Sequence, residues 1–186
     1  MNANQITIRQ SDEHDRDEIL AVHLDAFGND EGPVIATLVD QMFDDATGKP
    51  IYSLVAEADE RIIGHVLFTA VTMEPAATPL KHQILAPLAV VNEQQGRGIG
   101  GRLVRDGFRR LADDGVDLVF VLGDPDYYSR FGFKPAGVRG FQAPHPIPDQ
   151  HAGAWMVHEL ETGVIDSCGG TVKCCNALND RKHWIE

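Results

Sequence analysis

The amino-acid sequence predicts a mixed α/β fold in which helices cover the faces of a central sheet. Apolar residues recur at strand and helix spacing in the order β-α-α-β-β-β-α-β-α-β, with further strands near the end. The chain has 186 residues, of which 43% are apolar and 24% charged, and a chain of this size can bury a substantial core. We expect one domain over residues 1–186, with its core at about 5–138 and C-terminal strands and loops at 139–186 that complete the sheet.

The first half of the chain predicts three strands and two helices. Strands are indicated at residues 6–9, 51–58 and 61–73, and helices at residues 12–27 and 33–45. Gly28 is a natural helix stop, because glycine adopts left-handed conformations without a penalty. Only Asp59 and Glu60 separate the second strand from the third, which predicts a tight antiparallel hairpin. Gly64 in this hairpin indicates a bulge or a close backbone contact. His23 falls on the apolar face of the first helix, where a packed core histidine is expected.

The second half alternates strands with shorter helical patterns. Strands are indicated at residues 83–91, 116–122, 131–135, 154–160 and 169–175, helices after a glycine-rich loop and at 125–130, and a loop at 75–79. Pro87 falls inside the first of these strands, and because proline has no N–H to donate, pairing should be interrupted there. In the helix after the glycine loop, Leu103 and Leu111 point inward, whereas Arg102 and Arg105 face outward or toward a ligand.

Composition and charge exclude several classes of function. The net charge of -12 and the pI of about 5.0 argue against general nucleic-acid binding, which needs a basic surface. No apolar run approaches the ~20 residues of a membrane span, and residues 1–5 lack the basic-then-apolar pattern of a signal peptide. Cys168, Cys174 and Cys175 have a spacing unlike that of zinc sites, so we expect reduced thiols, no metal and a cytoplasmic location. The protein is expected to be a monomer or a homodimer.

A glycine-rich loop between a buried strand and a helix is the strongest functional signal. Four glycines lie between Gly96 and Gly101. Free backbone N–H groups and the helix dipole at such a helix start bind phosphate, and glycine lets the anion approach the backbone. The pattern Gly96-x-Gly98-x-x-Gly101 also satisfies the dinucleotide fingerprint, with Asp124 near the usual downstream position. However, residues 92–95 separate it from its strand, and the chain lacks the Gly-Lys-Ser or Gly-Lys-Thr of NTPases, so neither nucleotide class is favoured.

Two separated motifs resemble the GNAT family of N-acetyltransferases. The loop reads Gln95-x-x-Gly98-x-Gly100, and the run Tyr-Tyr-Ser-Arg-Phe-Gly-Phe follows one strand later at residues 127–133. The resemblance covers about residues 6–135 in element order. The Gly-Asp-Pro ahead of the double tyrosine is similar to a bacterial branch of predicted acetyltransferases without a general substrate rule. The resemblance implies a mostly antiparallel sheet with one splayed parallel strand pair, and acetyl-CoA as the cosubstrate held in that gap.

The resemblance also implies roles for individual residues. Backbone groups of the strand before the loop would pair with the pantetheine arm, and N–H groups of the loop would hold the pyrophosphate, with charge added by Arg97 and Arg102. The implied cofactor-binding residues are Leu88, Ala89, Val90, Gln95, Gly96, Arg97, Gly98, Ile99, Gly100, Gly101 and Phe131. Tyr128 is the candidate general acid, because a phenol of pKa ~10 is protonated at neutral pH and can hydrogen-bond the CoA thiolate.

The sequence leaves the base and the acceptor amine open. Residues 84–91 contain no acidic residue or histidine, so the proton of the amine can leave in two ways. It either passes through water or is taken by one of four candidate bases, Glu57, His65, Glu74 and Asp124. Small-molecule amines, protein N-termini and lysine side chains are all compatible acceptors. Acidic residues that can attract an amine, or simply be solvated, lie near the predicted loops at Asp30, Glu31, Asp44 and Asp45. A non-catalytic CoA-binding sensor or interaction module on the same fold is the alternative function.

Overall fold

The computed structural model describes residues 5–76 and 79–184. Its helices are α1 Arg16–Asp44, α2 Ile99–Asp113 and α3 Pro125–Tyr128. Its strands are β1 Thr7–Gln10, β2 Tyr52–Ala58, β3 Arg61–Glu74, β4 His82–Val90, β5 Leu118–Leu122, β6 Lys134–Pro135, β7 Phe141–Gln142, β8 Trp155–Glu159 and β9 Gly170–Lys173. Residues 77 and 78 of the loop predicted at 75–79, and residues 1–4 of the segment without a signal-peptide pattern, lie outside the described residues.

The strands form a mixed sheet that is mostly antiparallel, which confirms the predicted fold class. Seven of them lie in the order β1-β2-β3-β4-β5-β8-β6, and β9 pairs with both β3 and β7. Among the strand pairs of the described residues, only β4–β5 and β7–β9 are parallel. The strand predicted at 131–135 shrinks to two residues, because residues 129–131 form a 3-10 turn that ends at Gly132, where φ is +86°. The two-residue strand β7 had no sequence signal.

Helix α1 differs from the two separate helices that the sequence predicts. Gly28 leaves the helical conformation, with φ of +73° and ψ of -170°, but the helix resumes directly after it, so residues 29–32 are helical rather than a loop. A single glycine is enough for this kink, because it reaches positive φ without a steric penalty. Pro33 lies in the second turn of the resumed segment, where its lack of an N–H removes one hydrogen bond of the helix. Even α1, the longest helix of the described part of the chain, is not apolar enough to cross a membrane.

The sheet separates two hydrophobic cores, one under each long helix. On one side α1 packs through Ile19, Val39 and Met42 against Phe120 and other apolar residues of the sheet. On the other side α2 packs through buried leucines and valines at helical spacing, against Val119 and its neighbours. Successive side chains of a strand point to opposite faces, so adjacent residues of β5 serve different cores. The α1 and α2 layers thereby hold the sheet from both sides.

A fork between β4 and β5 is the feature of the sheet that positions the site. The two strands pair only over residues 82–84 and 118–120. Opposite β3, the register of β4 shifts between Leu85 and Leu88, which confirms the interruption predicted at Pro87. Beyond Ile84, β4 stays with β3 while β5 stays with β8, so the parallel pair splays apart. The resulting gap lies between residues 85–90 of β4 and the end of β5.

Candidate active site at the β4–β5 fork

A cleft of about 580 Å³ opens from the fork on the side of α2. Most residues singled out from the sequence line it, namely Leu88, Val90, Gln95, Gly96, Gly98, Ile99, Gly100, Gly101, Tyr128 and Phe131. Ala89 and Arg97 do not line the cleft. Gln94, Arg105, Tyr127 and Arg130 join the lining in addition to the predicted residues. We call this space the α2-side cleft.

The free edge of β4 presents alternate backbone groups to the α2-side cleft. The Val91 N–H donates a hydrogen bond to the Ile63 carbonyl oxygen on β3 at 3.0 Å. Because backbone groups alternate along an antiparallel strand, the N–H and C=O of Ala89 also point to β3, whereas those of Leu88 and Val90 point into the gap. An extended ligand in the gap can therefore pair with Leu88 and Val90 but not with Ala89.

The glycine loop leaves the start of α2 uncapped and open. Gly96 and Gly98 have φ values of +75° and +78°, which favour glycine over any residue with a Cβ. Among the described residues no side chain caps α2 at Gly98, so the first N–H groups of the helix are available to an anion. A Cβ on Gly100 would lie 2.5 Å from the Tyr127 Oη, so the loop and the tyrosine come together only because this position is glycine.

Side-chain hydrogen bonds hold the loop against its neighbours. The Gln95 Nε2 donates to the Val90 carbonyl oxygen at 3.0 Å, which ties the loop to the end of β4. The Asn92 N–H donates to the Asp25 Oδ2 at 2.7 Å, and the Asn92 Nδ2 donates to the Asp25 carbonyl oxygen at 2.6 Å. These bonds connect the loop to α1 across the fork. The bonds therefore fix the position of the loop relative to both β4 and α1.

Two arginines give the α2-side cleft a positive charge in a protein whose net charge is -12. The Arg105 Cζ lies 5.1 Å from the centroid of the Phe131 ring, and the Arg130 Cζ lies 4.5 Å from that of the Tyr127 ring. Within the described residues neither arginine forms an ion pair, which leaves both available to an anionic ligand. Arg102, proposed from the sequence for this task, instead donates to the Ile6 carbonyl oxygen at 2.7 Å, outside the cleft.

Tyr128 lies where the α2-side cleft meets the gap between the strands. Its ring packs against Tyr127 and Phe133, with centroid separations of 5.0 and 5.6 Å. A Cβ on Gly123 would lie 2.4 Å from the Tyr128 Cε2, so glycine is required for this packing. Burial raises the pKa of Tyr128 well above that of an ordinary phenol, and the hydroxyl stays protonated at neutral pH. In the described part of the chain this hydroxyl has no hydrogen-bond partner, so it is free to donate to a ligand.

A second space, of about 390 Å³, opens from the same fork on the side of α1, and we call it the fork cavity. Leu88 and Tyr128 line both the fork cavity and the α2-side cleft, so these two residues form a wall that the two spaces share. The other walls come from the second half of α1 and from the 3-10 turn Arg181–Trp184. Sequence reasoning missed this C-terminal wall, because nothing local to residues 181–184 indicates that they return to the fork.

The four candidate bases named from the sequence lie outside both spaces. Their side chains have other partners: Glu57 pairs with Arg9, His65 with His23 and Ser53, Glu74 with Lys173, and Asp124 with the Asp126 N–H. His65 is also fully buried, which lowers its pKa well below that of an ordinary histidine. The structure therefore favours none of them as the group that receives the proton of an amine.

The described residues contain no group of three or more histidine, cysteine, aspartate or glutamate side chains placed to hold a metal ion. Cys175 is buried, and Cys168 and Cys174 are half-buried. Burial raises the pKa of the thiol of all three cysteines. The arrangement at the fork accordingly consists of an uncapped, glycine-rich helix start, a free strand edge and a protonated tyrosine, with a second cavity beside it.

Comparisons with known proteins agree with this geometry. The family model described as an acetyltransferase (GNAT) domain matches residues 7–136. The chain is 40% identical over 178 residues to the uncharacterized N-acetyltransferase YjhQ of Escherichia coli K12, covering 95% of this chain and 96% of that protein. The crystal structure of the E. coli GNAT-family N-acetyltransferase YhbS in complex with CoA superposes with a TM-score of 0.85 at 30% identity, over 96% of this chain and 94% of that one. A Brucella melitensis GNAT acetyltransferase in complex with acetyl-CoA superposes with a TM-score of 0.73 at 28% identity, over 95% of this chain and 99% of that one. The chain belongs to the GNAT family of N-acetyltransferases.

Proposed function

We propose that this protein transfers the acetyl group of acetyl-CoA to a primary amine by direct attack. The observation that carries the proposal is that Leu88 and Tyr128 line both the α2-side cleft and the fork cavity. Acetyl-CoA occupies the α2-side cleft, as the CoA-bound relatives suggest, and the amine enters through the fork cavity. Each substrate then reaches the reaction centre from its own face of the sheet, without passing the other.

The α2-side cleft matches the chemistry of the cofactor. The pyrophosphate accepts hydrogen bonds from the N–H groups at the start of α2, and Arg105 and Arg130 add charge. The pantetheine arm lies along β4 as an additional strand and pairs with Leu88 and Val90. This pairing directs the thioester toward Tyr128 at the fork.

The reaction then proceeds through a tetrahedral intermediate. The neutral amine nitrogen attacks the thioester carbonyl carbon, and a backbone N–H on the free edge of β4, near Val90, stabilises the oxyanion that forms. When the intermediate collapses, the C–S bond breaks and the CoA thiolate takes the proton of the Tyr128 hydroxyl. The proton lost by the amine leaves through water, and Tyr128 is reprotonated from solvent, so the products are the acetamide and free CoA thiol.

Replacement of Tyr128 by phenylalanine tests the assignment of the acid. Since a positioned general acid contributes about 10²- to 10⁴-fold, Tyr128→Phe should lower kcat by about 100-fold or more without weakening acetyl-CoA binding. Tyr52→Phe is the matched control, because the Tyr52 hydroxyl donates to Asp114 at 2.8 Å and lines neither space. Turnover is followed as release of CoA thiol, and an unchanged kcat in Tyr128→Phe would show that another group protonates the thiolate.

Thermal stabilisation tests the cofactor site separately. At a hundredfold excess over Kd, acetyl-CoA should stabilise the protein by about 2.7 kcal/mol, a rise in Tm of several degrees. Gly100→Val should lose this shift because its side chain would meet the Tyr127 hydroxyl in the α2-side cleft, whereas Gly137→Val, at a position with free space around it, should keep it. Stabilisation of the wild type without thiol release from any amine would instead support the non-catalytic CoA-binding module.

A further inference from the structure

We propose that the acceptor is a primary amine carried on an apolar body that has no carboxylate, and that it binds in the fork cavity. The inference rests on the proposed function and adds the substrate class to it. Three properties of the fork cavity carry it: its apolar walls, the charges at its mouth, and the scarcity of polar groups at its inner end.

The walls of the fork cavity are apolar on both sides. Ile35 and Leu38 of α1 face Pro87 of β4, and Trp184 closes the C-terminal side. Val34 extends the apolar surface to the mouth, where it is 48% exposed. Apolar pockets of a few hundred Å³ hold small molecules and derive their affinity from burying apolar surface. A volume of about 390 Å³ between α1 and the C-terminal turn therefore fits a small amine rather than the surface of a folded protein.

The mouth of the fork cavity favours cations over carboxylates. Asp30 and Glu31 are exposed there and leave two negative charges facing the entrance. Lys182 does not balance them, because its Nζ lies 2.9 Å from the Asp180 Oδ2. Burial lowers the pKa of His183, so its imidazole is mainly neutral at pH 7. An ammonium group is attracted to this entrance, whereas a ligand that also bears a carboxylate meets repulsion.

The inner end of the fork cavity offers few partners to a polar acceptor. Leu85 and Leu88 line it beside Tyr128, whose hydroxyl is the group proposed to face the thioester. A sugar or another polyhydroxylated amine would bury more hydroxyls than the few polar groups of these walls can pair, and each unsatisfied group costs affinity. An aromatic or branched aliphatic amine buries no hydroxyl that could be left unpaired, and its single amino group reaches the reaction centre.

A panel of three amines separates this inference from the proposed function. The probes are 2-phenylethylamine, which is apolar, phenylalanine, which adds a carboxylate, and glucosamine, which is polar, each assayed by release of CoA thiol. We expect kcat/KM for 2-phenylethylamine to exceed that for either of the others by at least about tenfold. Turnover that is fastest with glucosamine or phenylalanine would overturn the inference and leave the acetyltransferase proposal standing. Absence of thiol release from all three would overturn the inference, and acetyl-CoA-induced stabilisation then tells whether the cofactor site survives.

Two sets of variants test the walls and the mouth. Val34→Asn should raise KM for 2-phenylethylamine by about three- to tenfold, because it replaces apolar contact at an exposed position that tolerates the change. Val138→Asn is the matched control, at a valine that is 83% exposed and outside the fork cavity, and it should leave KM unchanged. Asp30→Asn combined with Glu31→Gln should raise KM for 2-phenylethylamine. The double variant should also lower the ratio of kcat/KM for 2-phenylethylamine to kcat/KM for phenylalanine. Equal KM values in Val34→Asn and the wild type, or an unaltered preference in the double variant, would contradict the inference.

Discussion

Mild acid should destabilise this protein through two histidines buried beneath the sheet. The His23 Nε2 lies 2.8 Å from the His65 Nδ1, and the His65 Nε2 lies 2.9 Å from the Ser53 Oγ. Both rings are completely inaccessible to solvent. Burial lowers the pKa of His23 to about 4, and burial together with the charge of His23 lowers the pKa of His65 well below its ordinary value. The folded protein therefore holds both imidazoles neutral at pH values where the unfolded chain protonates them.

The direction and size of the effect follow from linkage. A histidine whose pKa is lowered by folding stabilises the fold fully above the unfolded pKa of 6.5, and this stabilisation falls as the pH drops toward the folded value of about 4. A pH of 5 is about 1.5 units below the pKa of His23 in the unfolded chain, so that ring is protonated, while the folded ring remains mostly neutral. At 1.36 kcal/mol per unit, this difference lowers the free energy of unfolding by about 2 kcal/mol. His65 adds to the loss in the same direction. For a domain stabilised by about 5–15 kcal/mol, this is a substantial fraction.

Urea unfolding at pH 7 and pH 5, followed by circular dichroism, measures this loss. His23→Gln removes the titrating ring but keeps a side-chain amide near His65, so its loss between the two pH values should be about 2 kcal/mol smaller than that of the wild type. Val22→Ala, a neighbouring core substitution without a titratable group, should lower stability at both pH values and leave the difference between them intact. If His23→Gln loses as much stability as the wild type, the buried ring is not the source of the acid sensitivity.

Three further predictions follow from close packing, backbone conformation and burial. Gly123→Ala should lower kcat by at least about tenfold, because its Cβ would lie 2.4 Å from the Tyr128 ring and displace it. The thermal shift with acetyl-CoA should remain. A kcat equal to that of the wild type would mean that the ring moves without loss of activity. Gly98→Ala should lower the free energy of unfolding by about 1–2 kcal/mol, since φ is +78° there, and an unchanged Tm would contradict that strain. Burial raises the thiol pKa of Cys174 and Cys175, so both should react with a disulfide reagent at pH 8 far more slowly in the native than in the urea-unfolded protein, and rapid native labelling would refute their protection.

Local patterns predicted most of the elements, because they depend on neighbours in sequence. The hairpin at Asp59 and Glu60 forms as expected, and both residues adopt the positive φ of a tight turn. Gly64 meets both of its predicted uses, since the β2–β3 register shifts beside it and a Cβ there would lie 3.1 Å from the Leu103 Cδ1. The helix break at Gly28 was located correctly, but the loop expected after it is helical. A glycine predicts the position at which a helix is interrupted, but it does not predict how many residues follow before the helix resumes.

The parts of the candidate site that consist of backbone groups were predictable from the sequence. The helix start at Gly98 and the free edge at Leu88 and Val90 belong to short segments whose sequence encodes a loop, a helix and an interrupted strand. The side chains around them were not predictable in the same way. Arg102 and Arg105 are three residues apart on one helix, and only the packing of α2 on β1 decides that the first binds the Ile6 carbonyl and the second faces the cleft.

The sequence by itself determined the alternation of strands and helices, the glycine-rich helix start and the tyrosine motif, since each is encoded in a run of adjacent residues. Only the tertiary structure decided that the β4–β5 gap opens on both faces, with arginines lining one space and mostly apolar walls around the other. It also decided that Trp184 stands opposite α1 and closes the fork cavity. The physical reason is that such walls form from residues more than a hundred positions apart, whose approach depends on the packing of the whole sheet.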